Sequence, residues 1–432
     1  MKRIIATLLI TAFAATPLAA KKRADSIDPA TGQRIKTGWN FGPLPAVGYN
    51  TDLGFQAGAL CDIYYYGDGS QYPDYVHKMN VEASYYTKGS GVFHFFYDSK
   101  YLIPKVRFTA AATYMLNRKY SFYGFNGAAS PYFSEWDSNR DTQTAFYNIQ
   151  RDYLRILADF QGSIRGHWGW AAGASFKYYA IDDIDLKAYD PSNTLYRRYV
   201  DTGIIDSDER NGGMHFELKA GVVFDTRDHE AAPSHGIWGE AYFIGSPDLF
   251  KGRYNYLKFA AHFRHYVPVW EDRIVFAYHL AYQGTLAGNA PFYVQQDIAT
   301  LYLRQVNSEG LGSINTIRGT LYNRMIGDGY AWANIEMRFR LVSFDFISQH
   351  WYVATNPFFD MGAVVQPFRL DRMRRAAAAD IYAGHGEKLH TSAGLGIKLV
   401  MNNNFIISVE GAVPLSRQDG PFGMNIGLNY IF

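Results

Sequence analysis

The segment Tyr330-Ala331-Trp332-Ala333-Asn334-Ile335-Glu336-Met337-Arg338-Phe339-Arg340-Leu341 alternates between polar and apolar side chains. The polar side chains share one parity: Asn334, Glu336, Arg338 and Arg340. The intervening positions are apolar: Ile335, Met337, Phe339 and Leu341. Successive side chains of a β-strand point to opposite faces. The segment is therefore predicted to form a strand with one polar and one apolar face.

The same alternation recurs in residues 215–225, 389–399, 404–412 and 422–432. One-sided strands of this kind also occur in soluble antiparallel sheets that cover a core. Repeated strands of about ten residues or more, with no helical period between them, instead favour a transmembrane barrel. Aromatic residues make up 17% of the chain, and many Tyr and Trp lie near expected strand ends, as an interfacial girdle requires.

The pattern predicts an all-β fold, a transmembrane antiparallel β-barrel of about sixteen strands. The predicted strands are 39–49, 53–66, 73–88, 91–100, 105–117, 144–161, 166–180, 213–225, 236–247, 254–267, 273–285, 330–342, 351–365, 389–401, 404–412 and 421–432. Long connections follow strands 5, 7, 11 and 13, and most others are short. Long loops at one end and short turns at the other are typical of outer-membrane barrels.

The chain is predicted to contain one folded domain. Residues 1–20 have the features of a signal peptide, with Lys2 and Arg3 before an apolar run. Residues 21–38 form a short polar segment, and residues 39–432 form the barrel. Removing Lys2 and Arg3 takes the formal charge from +2 to zero (2 − 2), which gives no bias toward nucleic acid. Cys61 is the single cysteine, which excludes an internal disulfide.

Several short motifs lie at matching places in this strand order. They are Ile317-Arg318-Gly319 between strands 11 and 12, Asn334-Ile335-Glu336-Met337-Arg338 on strand 12, Phe359-Asp360-Met361-Gly362 on strand 13, and Asp225-Thr226-Arg227-Asp228 after strand 8. Together they resemble the bacterial surface-antigen superfamily of barrels, which includes the BamA and TamA assembly proteins and the two-partner secretion transporters. The resemblance implies an outer-membrane location, and it implies that Phe432 is the C-terminal signal read by the outer-membrane assembly machinery.

Two features depart from that family. Thr320 stands where the family motif carries an aromatic residue. Only the short segment 21–38 separates the predicted signal from the first strand, so the periplasmic transport-associated domains of the family are expected to be absent. This second departure leaves client recognition to some other element, such as a separate periplasmic subunit.

The loop between strands 11 and 12 is predicted to fold into the lumen, because a loop of this length needs partners. By strand parity Glu336 and Asp360 point inward on adjacent strands. Arg318 is suited to bridge two carboxylates, and Gly319 allows a close approach of the backbone. We therefore expect Arg318, Gly319, Glu336 and Asp360 to form a loop latch. The alternative is an ordinary solvated loop arginine.

The seam between the first and the last strand is predicted to be the weakest in the barrel. Pro43 and Pro45 have the same parity, so both lack an N–H along one strand edge. Gly423 and Gly427 weaken packing on the last strand. In the family this lateral seam is where the barrel opens. The alternative is that Pro43 and Pro45 simply precede the strand.

The sequence contains no nucleophile elbow and no metal-ligand spacing, so no enzyme activity, cofactor or metal is predicted. His262 and His265 are three apart, which places them on opposite faces of a strand. The expected function is insertion or translocation of a protein or lipid client, without chemical catalysis. The expected partners are outer-membrane lipids, the assembly machinery, and a periplasmic subunit or protein client, with no nucleic acid. The alternative is a passive pore or a structural surface protein.

Overall fold

The computed structural model describes residues 35–432 except 52, 73, 138–143, 188, 250–253, 272, 300–309, 313–314, 347–348, 371–379, 383–385 and 402–404. The predicted signal peptide, 1–20, and residues 21–34 of the polar segment lie outside the described residues. Among the residues that are described, no helix is both long and apolar enough to cross a membrane.

The described residues form sixteen strands that close into one antiparallel barrel, which confirms the predicted fold class. The strands are β1 (Trp39–Asn50), β2 (Gly54–Tyr65), β3 (His77–Tyr86), β4 (Ser90–Ile103), β5 (Val106–Ser121), β6 (Asn148–Arg165), β7 (Trp168–Asp182), β8 (Gly212–Asp225), β9 (Gly236–Ser246), β10 (Tyr256–Trp270), β11 (Ile274–Gly288), β12 (Gly329–Phe346), β13 (Gln349–Gln366), β14 (His390–Met401), β15 (Phe405–Pro414) and β16 (Gly423–Leu428). The described parts of the connections contain two short α-helices, α1 (Leu195–Asp201) and α2 (Phe292–Gln295). Each strand pairs with its neighbours in chain order, and β1 meets β16 to close the barrel.

Alternation decides which side chains face outward. Large apolar side chains are exposed around the outer wall, among them Leu218, Phe243, Leu280, Leu395 and Ile397. Charged and polar side chains of the opposite parity are buried inside, among them Glu217, Glu240, Glu336, Lys398 and Glu410. An apolar exterior around a polar interior is the arrangement that a lipid environment selects in a barrel.

Four long connections close one end of the barrel. They follow β5, β7, β11 and β13, and we call this cap the dome. The dome shares a hydrophobic core of buried aromatic and aliphatic side chains that includes Phe122, Phe125, Tyr199, Phe292 and Tyr382. Burial of so many rings stabilises the described parts of these loops against each other.

The prediction of a last strand running to Phe432 is wrong, because β16 ends at Leu428. Asn429 has a φ of 69°, which turns the chain away from the wall. Tyr430 and Phe432 are then 6% and 3% exposed inside the barrel instead of facing lipid. Asn tolerates the left-handed region better than most residues, which makes this position a suitable place for the turn.

Candidate functional site: the inward loop and the strand seam

The loop between β11 and β12, residues 289–328, reaches into the lumen at its tip. The tip is the turn Ile317 to Thr320, where Gly319 has a φ of 86°. Thr320 Oγ1 donates to the Ile317 carbonyl at 2.7 Å and closes the turn. A side chain at Gly319 would be strained at this φ and would also meet Ala412 on β15 at 2.7 Å. Glycine therefore allows the tip to lie directly on the barrel wall.

The Arg318 guanidinium is surrounded by carboxylates from the wall. Nε and Nη2 donate to the two oxygens of Asp360, both at 2.8 Å, and the Arg318 backbone N–H adds a third bond at 2.9 Å. Nη1 donates to Glu336 at 2.5 Å and to Glu410 at 3.0 Å. The guanidinium also lies 3.4 Å from the ring centroid of Phe358. The structure thus brings together Arg318, Glu336 and Asp360, and their role as a loop latch stays a prediction.

The site is buried, and its charges are balanced by further cations. The Arg318 side chain is 2% exposed, and those of Glu336 and Asp360 are 0% exposed. Arg338 Nε donates to the second oxygen of Glu336 at 2.9 Å. Ion pairs buried in this way cost desolvation energy, and they persist where the geometry satisfies nearly all donors and acceptors.

Sequence reasoning missed the part of this site that lies on β14 and β15. Glu410 accepts from Arg318, and Lys398 Nζ donates to the same Glu410 oxygen at 2.7 Å. Both side chains lie on the polar face of their strands, so strand parity already indicated that they point inward. Parity does not indicate which inward side chains of different strands meet.

Arg324, in the same loop, is also fully buried, but it lies in the dome. Its guanidinium donates to the carbonyls of Gln418 at 2.8 Å, Ser130 at 3.0 Å and Gly127 at 3.3 Å. The nearest contact with Asp419 is 3.7 Å. Arg324 therefore ties the loop to the connections that follow β5 and β15. Backbone carbonyls have no sequence signature, so this role could not be predicted.

The first limb of the loop has anchors of its own. Asp297 accepts from Lys177 Nζ at 2.7 Å and from the hydroxyl of Tyr153 at 2.8 Å. In the dome, Glu209 accepts from the Phe292 backbone N–H at 3.3 Å. Burial raises the pKa of the Glu209 carboxyl to about 7. The loop is thus attached at several points, and one of these attachments titrates near neutral pH.

The seam between β1 and β16 is short. Among the described residues the two strands pair at Tyr49 with Ile426 and at Asn50 with Asn425, and the Thr51 N–H just beyond β1 donates to the Met424 carbonyl at 3.2 Å. By contrast β1 pairs with β2 from Trp39 to Asn50. The remaining length of β1 has an edge with no strand partner in the part of the chain that the structure describes.

The structure places the predicted seam residues within the paired strands. Pro43 and Pro45 lie inside β1, opposite Cys61 and Ala59 of β2, so they do not merely precede the strand. On the last strand, Gly427 lies opposite Ser408 and Gly423 lies opposite Ala412 of β15.

The latch and the seam, which the sequence suggested separately, are in contact. A Cβ built on Gly423 of β16 would lie 2.6 Å from the Cα of Gly319 at the loop tip. The absence of a side chain at both positions lets the tip rest on the last strand beside the seam. A displacement of β16 therefore requires the loop tip to move or to lose this contact.

The end of the chain lies inside the barrel. Arg338 Nη2 donates to the Phe432 carbonyl oxygen at 2.7 Å, and its guanidinium lies 4.0 Å from the Tyr430 ring centroid. An insertion signal acts on a chain before it has folded, so the role expected for Phe432 stays a prediction. Among the described residues no group of three or more His, Cys, Asp or Glu side chains is placed to hold a metal ion.

Comparison with known families assigns this architecture. The model of the Omp85 superfamily domain matches residues 77–430. The chain belongs to the Omp85 superfamily. Members of this superfamily are outer-membrane barrels, and this Omp85 protein is accordingly located in the bacterial outer membrane. The long connections, including the dome, then lie on the extracellular side.

Solved structures with the same fold include BamA from Haemophilus ducreyi lacking POTRA domains 1-3 and CdiB from Escherichia coli. The BamA structure has a TM-score of 0.54 and 13% identity, and the match covers 92% of this chain and 71% of that one. The CdiB structure has a TM-score of 0.55 and 11% identity, with 94% and 67% covered. At this identity the likeness establishes the fold. No curated protein matches this Omp85 chain in a sequence comparison.

Proposed function

We propose that this Omp85 barrel inserts or translocates a protein or lipid client at the seam between β1 and β16, and that it catalyses no chemical reaction. The observation that carries the proposal is the restriction of β1–β16 pairing to Tyr49–Ile426 and Asn50–Asn425. An open strand edge is a template on which an incoming strand can add. A separate periplasmic subunit that presents the client is part of the proposal.

The sequence of β1 opposes closure of the remaining seam. Continuing the observed register from Tyr49–Ile426 would place Pro45 opposite Tyr430 and Pro43 opposite Phe432. Neither proline has an N–H to donate to such a pairing. The last residues instead turn inward at Asn429. Both edges thus favour an open seam along the N-terminal part of β1. This keeps the edge of β1 available for a client.

The loop latch supports the seam from inside the barrel. Arg318 joins β12, β13 and β15 through their carboxylates, while Gly319 lies against Gly423 of β16. The latch would therefore hold the last strand in place during opening of the first. We propose that this is its function, because the loop tip contacts the seam at a strand that is otherwise weakly held.

The dome argues against the alternative of a passive pore. A pore needs a continuous aqueous path, whereas the rings of Phe122, Phe125 and Phe292 are buried against each other in the described part of the dome at the extracellular end. A client that leaves sideways through the seam does not need a path through the dome.

A disulfide across the seam tests the proposal. The background is Cys61→Ser, and the pair is Tyr49→Cys with Ile426→Cys, which are register partners. The matched control is Ile397→Cys with Val409→Cys, register partners on β14 and β15 with outward side chains. Cells carry one version as their only copy, and the outer membrane is analysed by quantitative mass spectrometry of proteins and lipids.

Oxidation of the seam pair is expected to deplete at least one outer-membrane protein or lipid, and reduction is expected to restore it. The control pair should have no such effect, and both barrels should stay folded. An unchanged outer-membrane composition with the seam disulfide formed would contradict the proposal. Planar-bilayer conductance addresses the alternative, since a passive pore predicts a steady current that the seam disulfide leaves unchanged.

A further inference from the structure

Two histidines inside the barrel form a hydrogen-bonded chain between two oxygen atoms. His262 of β10 and His279 of β11 are 4% and 5% exposed, and His262 Nδ1 lies 3.0 Å from His279 Nε2. At one end of the chain, His262 Nε2 lies 2.8 Å from the Ala299 carbonyl oxygen. At the other end, His279 Nδ1 lies 3.0 Å from Asn334 Oδ1.

The orientation of the Asn334 amide is decided by its other contacts. Nδ2 lies 2.5 Å from the Thr316 carbonyl oxygen, and the same side chain hydrogen-bonds to the Asp360 carboxylate. Both of those groups accept hydrogen bonds, so the amide NH₂ must face them. Asn334 therefore presents an acceptor to His279, and rotating the amide would set oxygen against oxygen at Thr316.

Counting the protons along this series of hydrogen bonds gives the charge of the two histidines. The Ala299 carbonyl requires a proton on His262 Nε2, and Asn334 Oδ1 requires a proton on His279 Nδ1. The contact between the two rings requires one proton more. Two neutral imidazoles carry one proton each, which leaves one of these contacts without a proton.

We propose that His262 and His279 together bind one proton more than two neutral imidazoles, and that this proton ties both limbs of the loop between β11 and β12 to the barrel wall. Ala299 belongs to the first limb and is held directly by His262. Thr316 belongs to the returning limb and is held through Asn334. The proposal concerns the resting barrel and does not depend on the identity of a client.

The surroundings determine how strongly this proton is held. Burial opposes a charge on the rings. The charged groups that face the pair are Arg264 of β10 and Glu240 of β9, which are joined to each other at 2.6 Å; Arg264 opposes a positive charge on both rings, and Glu240 favours one on His262. The ring of Trp332 lies edge-on to both imidazoles and carries no charge. Against burial and Arg264, the extra proton is favoured by the three hydrogen-bond contacts and by Glu240.

The sign of the pH dependence follows from the proton count. At lower pH the pair holds its proton, and both ends of the chain donate to the loop and to Asn334. As the pH rises, the proton is lost, and one contact becomes acceptor against acceptor. The unbroken hydrogen-bonded link between the two limbs of the loop is thus present at low pH and is lost as the pH rises, because one of its three contacts then lacks a proton.

The charge can be measured directly on the intact barrel in lipid nanodiscs. Histidines labelled with ¹⁵N are observed by NMR between pH 5 and pH 8, and His279→Gln identifies the signals of the pair. An extra ring proton at the acidic end, with loss of its signal in His279→Gln, is the expected result. Two neutral rings throughout this range would overturn the proposal.

Hydrogen exchange tests the tie to the loop. In the parent, protection of segments 294–299 and 315–318 is expected to fall about tenfold across the titration, the equivalent of one hydrogen bond to a charged group. His279→Gln should abolish this pH dependence. The control His94→Gln removes another buried luminal histidine, whose Nδ1 contacts Thr113 of the wall at 2.9 Å, and it should behave like the parent. Equal pH dependence in His279→Gln and the parent would refute the tie, even if the variant is less stable.

Discussion

Arg318 and Arg324 belong to one loop and are both buried, yet they are held in different ways. Arg318 contacts the carboxylates of Glu336, Asp360 and Glu410 on the barrel wall. Arg324 contacts backbone carbonyls of the connections that follow β5 and β15, and its nearest carboxylate contact is 3.7 Å away at Asp419. The comparison teaches that the same side chain anchors the loop to the membrane-spanning wall at one site and to neighbouring loops at the other.

The largest effect is expected for Arg318→Ala. The variant leaves Glu336, Asp360 and Glu410 close together without their shared cation, and breaking a buried ion pair typically costs about 3–5 kcal/mol. Limited proteolysis between Ala287 and Gly329 should become faster while the barrel stays folded.

Two further variants sharpen this result. Arg318→Lys should restore protease resistance only in part, because a point charge cannot replace the two-pronged contact with Asp360. Arg417→Ala, an exposed arginine in the connection after β15, is the control and should match the parent. Parent-like resistance in Arg318→Ala would show that the latch does not hold the loop.

A smaller effect is expected for Arg324→Ala, and in a different place. The change leaves the carbonyls of Gly127, Ser130 and Gln418 without their donor, which costs about 1–3 kcal/mol. Hydrogen exchange should rise at residues 127–130 and 416–419. The strands around Arg318 should keep their protection. Increased exchange at the wall instead of the dome would remove the distinction between the two arginines.

Within the Arg318 site, Asp360→Asn should be more damaging than Glu410→Gln. Asp360 accepts from Nε, Nη2 and the backbone N–H of Arg318, whereas Glu410 accepts from Nη1 alone and is shared with Lys398. We expect the free energies of unfolding of the two variants to differ by about 1–2 kcal/mol, because Asp360→Asn loses more charge-assisted hydrogen bonds. Thermal unfolding of the refolded barrel measures it, and the opposite ranking would place the main anchor on β15.

The smallest effect concerns Glu209, which holds the first limb of the same loop in the dome. Burial raises the pKa of its carboxyl to about 7, above its unfolded value. Its contribution to stability is therefore fully present below the unfolded pKa of about 4.3 and is lost as the pH rises through about 7. The contribution is on the order of 1 kcal/mol, because solvent screens a half-buried group.

Glu209→Gln should remove this pH dependence, measured as hydrogen exchange of residues 292–295 between pH 4 and pH 8. Glu271→Gln, an exposed carboxyl in the short turn after β10, provides the control. If hydrogen exchange in Glu209→Gln depends on pH as it does in the parent, another group sets the pH response of the dome.

Much of the wall could be predicted because strand parity is local. The alternation in residues 330–341 and 422–432 indicated the inward and outward faces of the strands. The long connections indicated which end of the barrel carries the long loops. The prediction failed after Leu428, where alternation continues to Phe432 but the chain turns inward at Asn429. A backbone turn at a single residue leaves the alternation of its neighbours unchanged, so the pattern could not reveal it.

The candidate site was predictable to the same extent. Parity placed Glu336 and Asp360 inside, and a motif singled out Arg318. Nothing local indicated that Glu410 completes the site, or that Gly319 rests on Gly423. The partners of Arg324 are carbonyls, which every residue has.

The sequence by itself determined that this chain forms a membrane barrel, since the period of two is a covalent property of extended backbone. It also determined which side chains enter the lumen on the strands, though not beyond Leu428, where the chain turns inward. Only the tertiary structure decided which of them meet, as in the chain from Ala299 through His262 and His279 to Asn334. Such contacts depend on the register of distant strands and on the path of the loop, and these are set by the closure of the whole barrel.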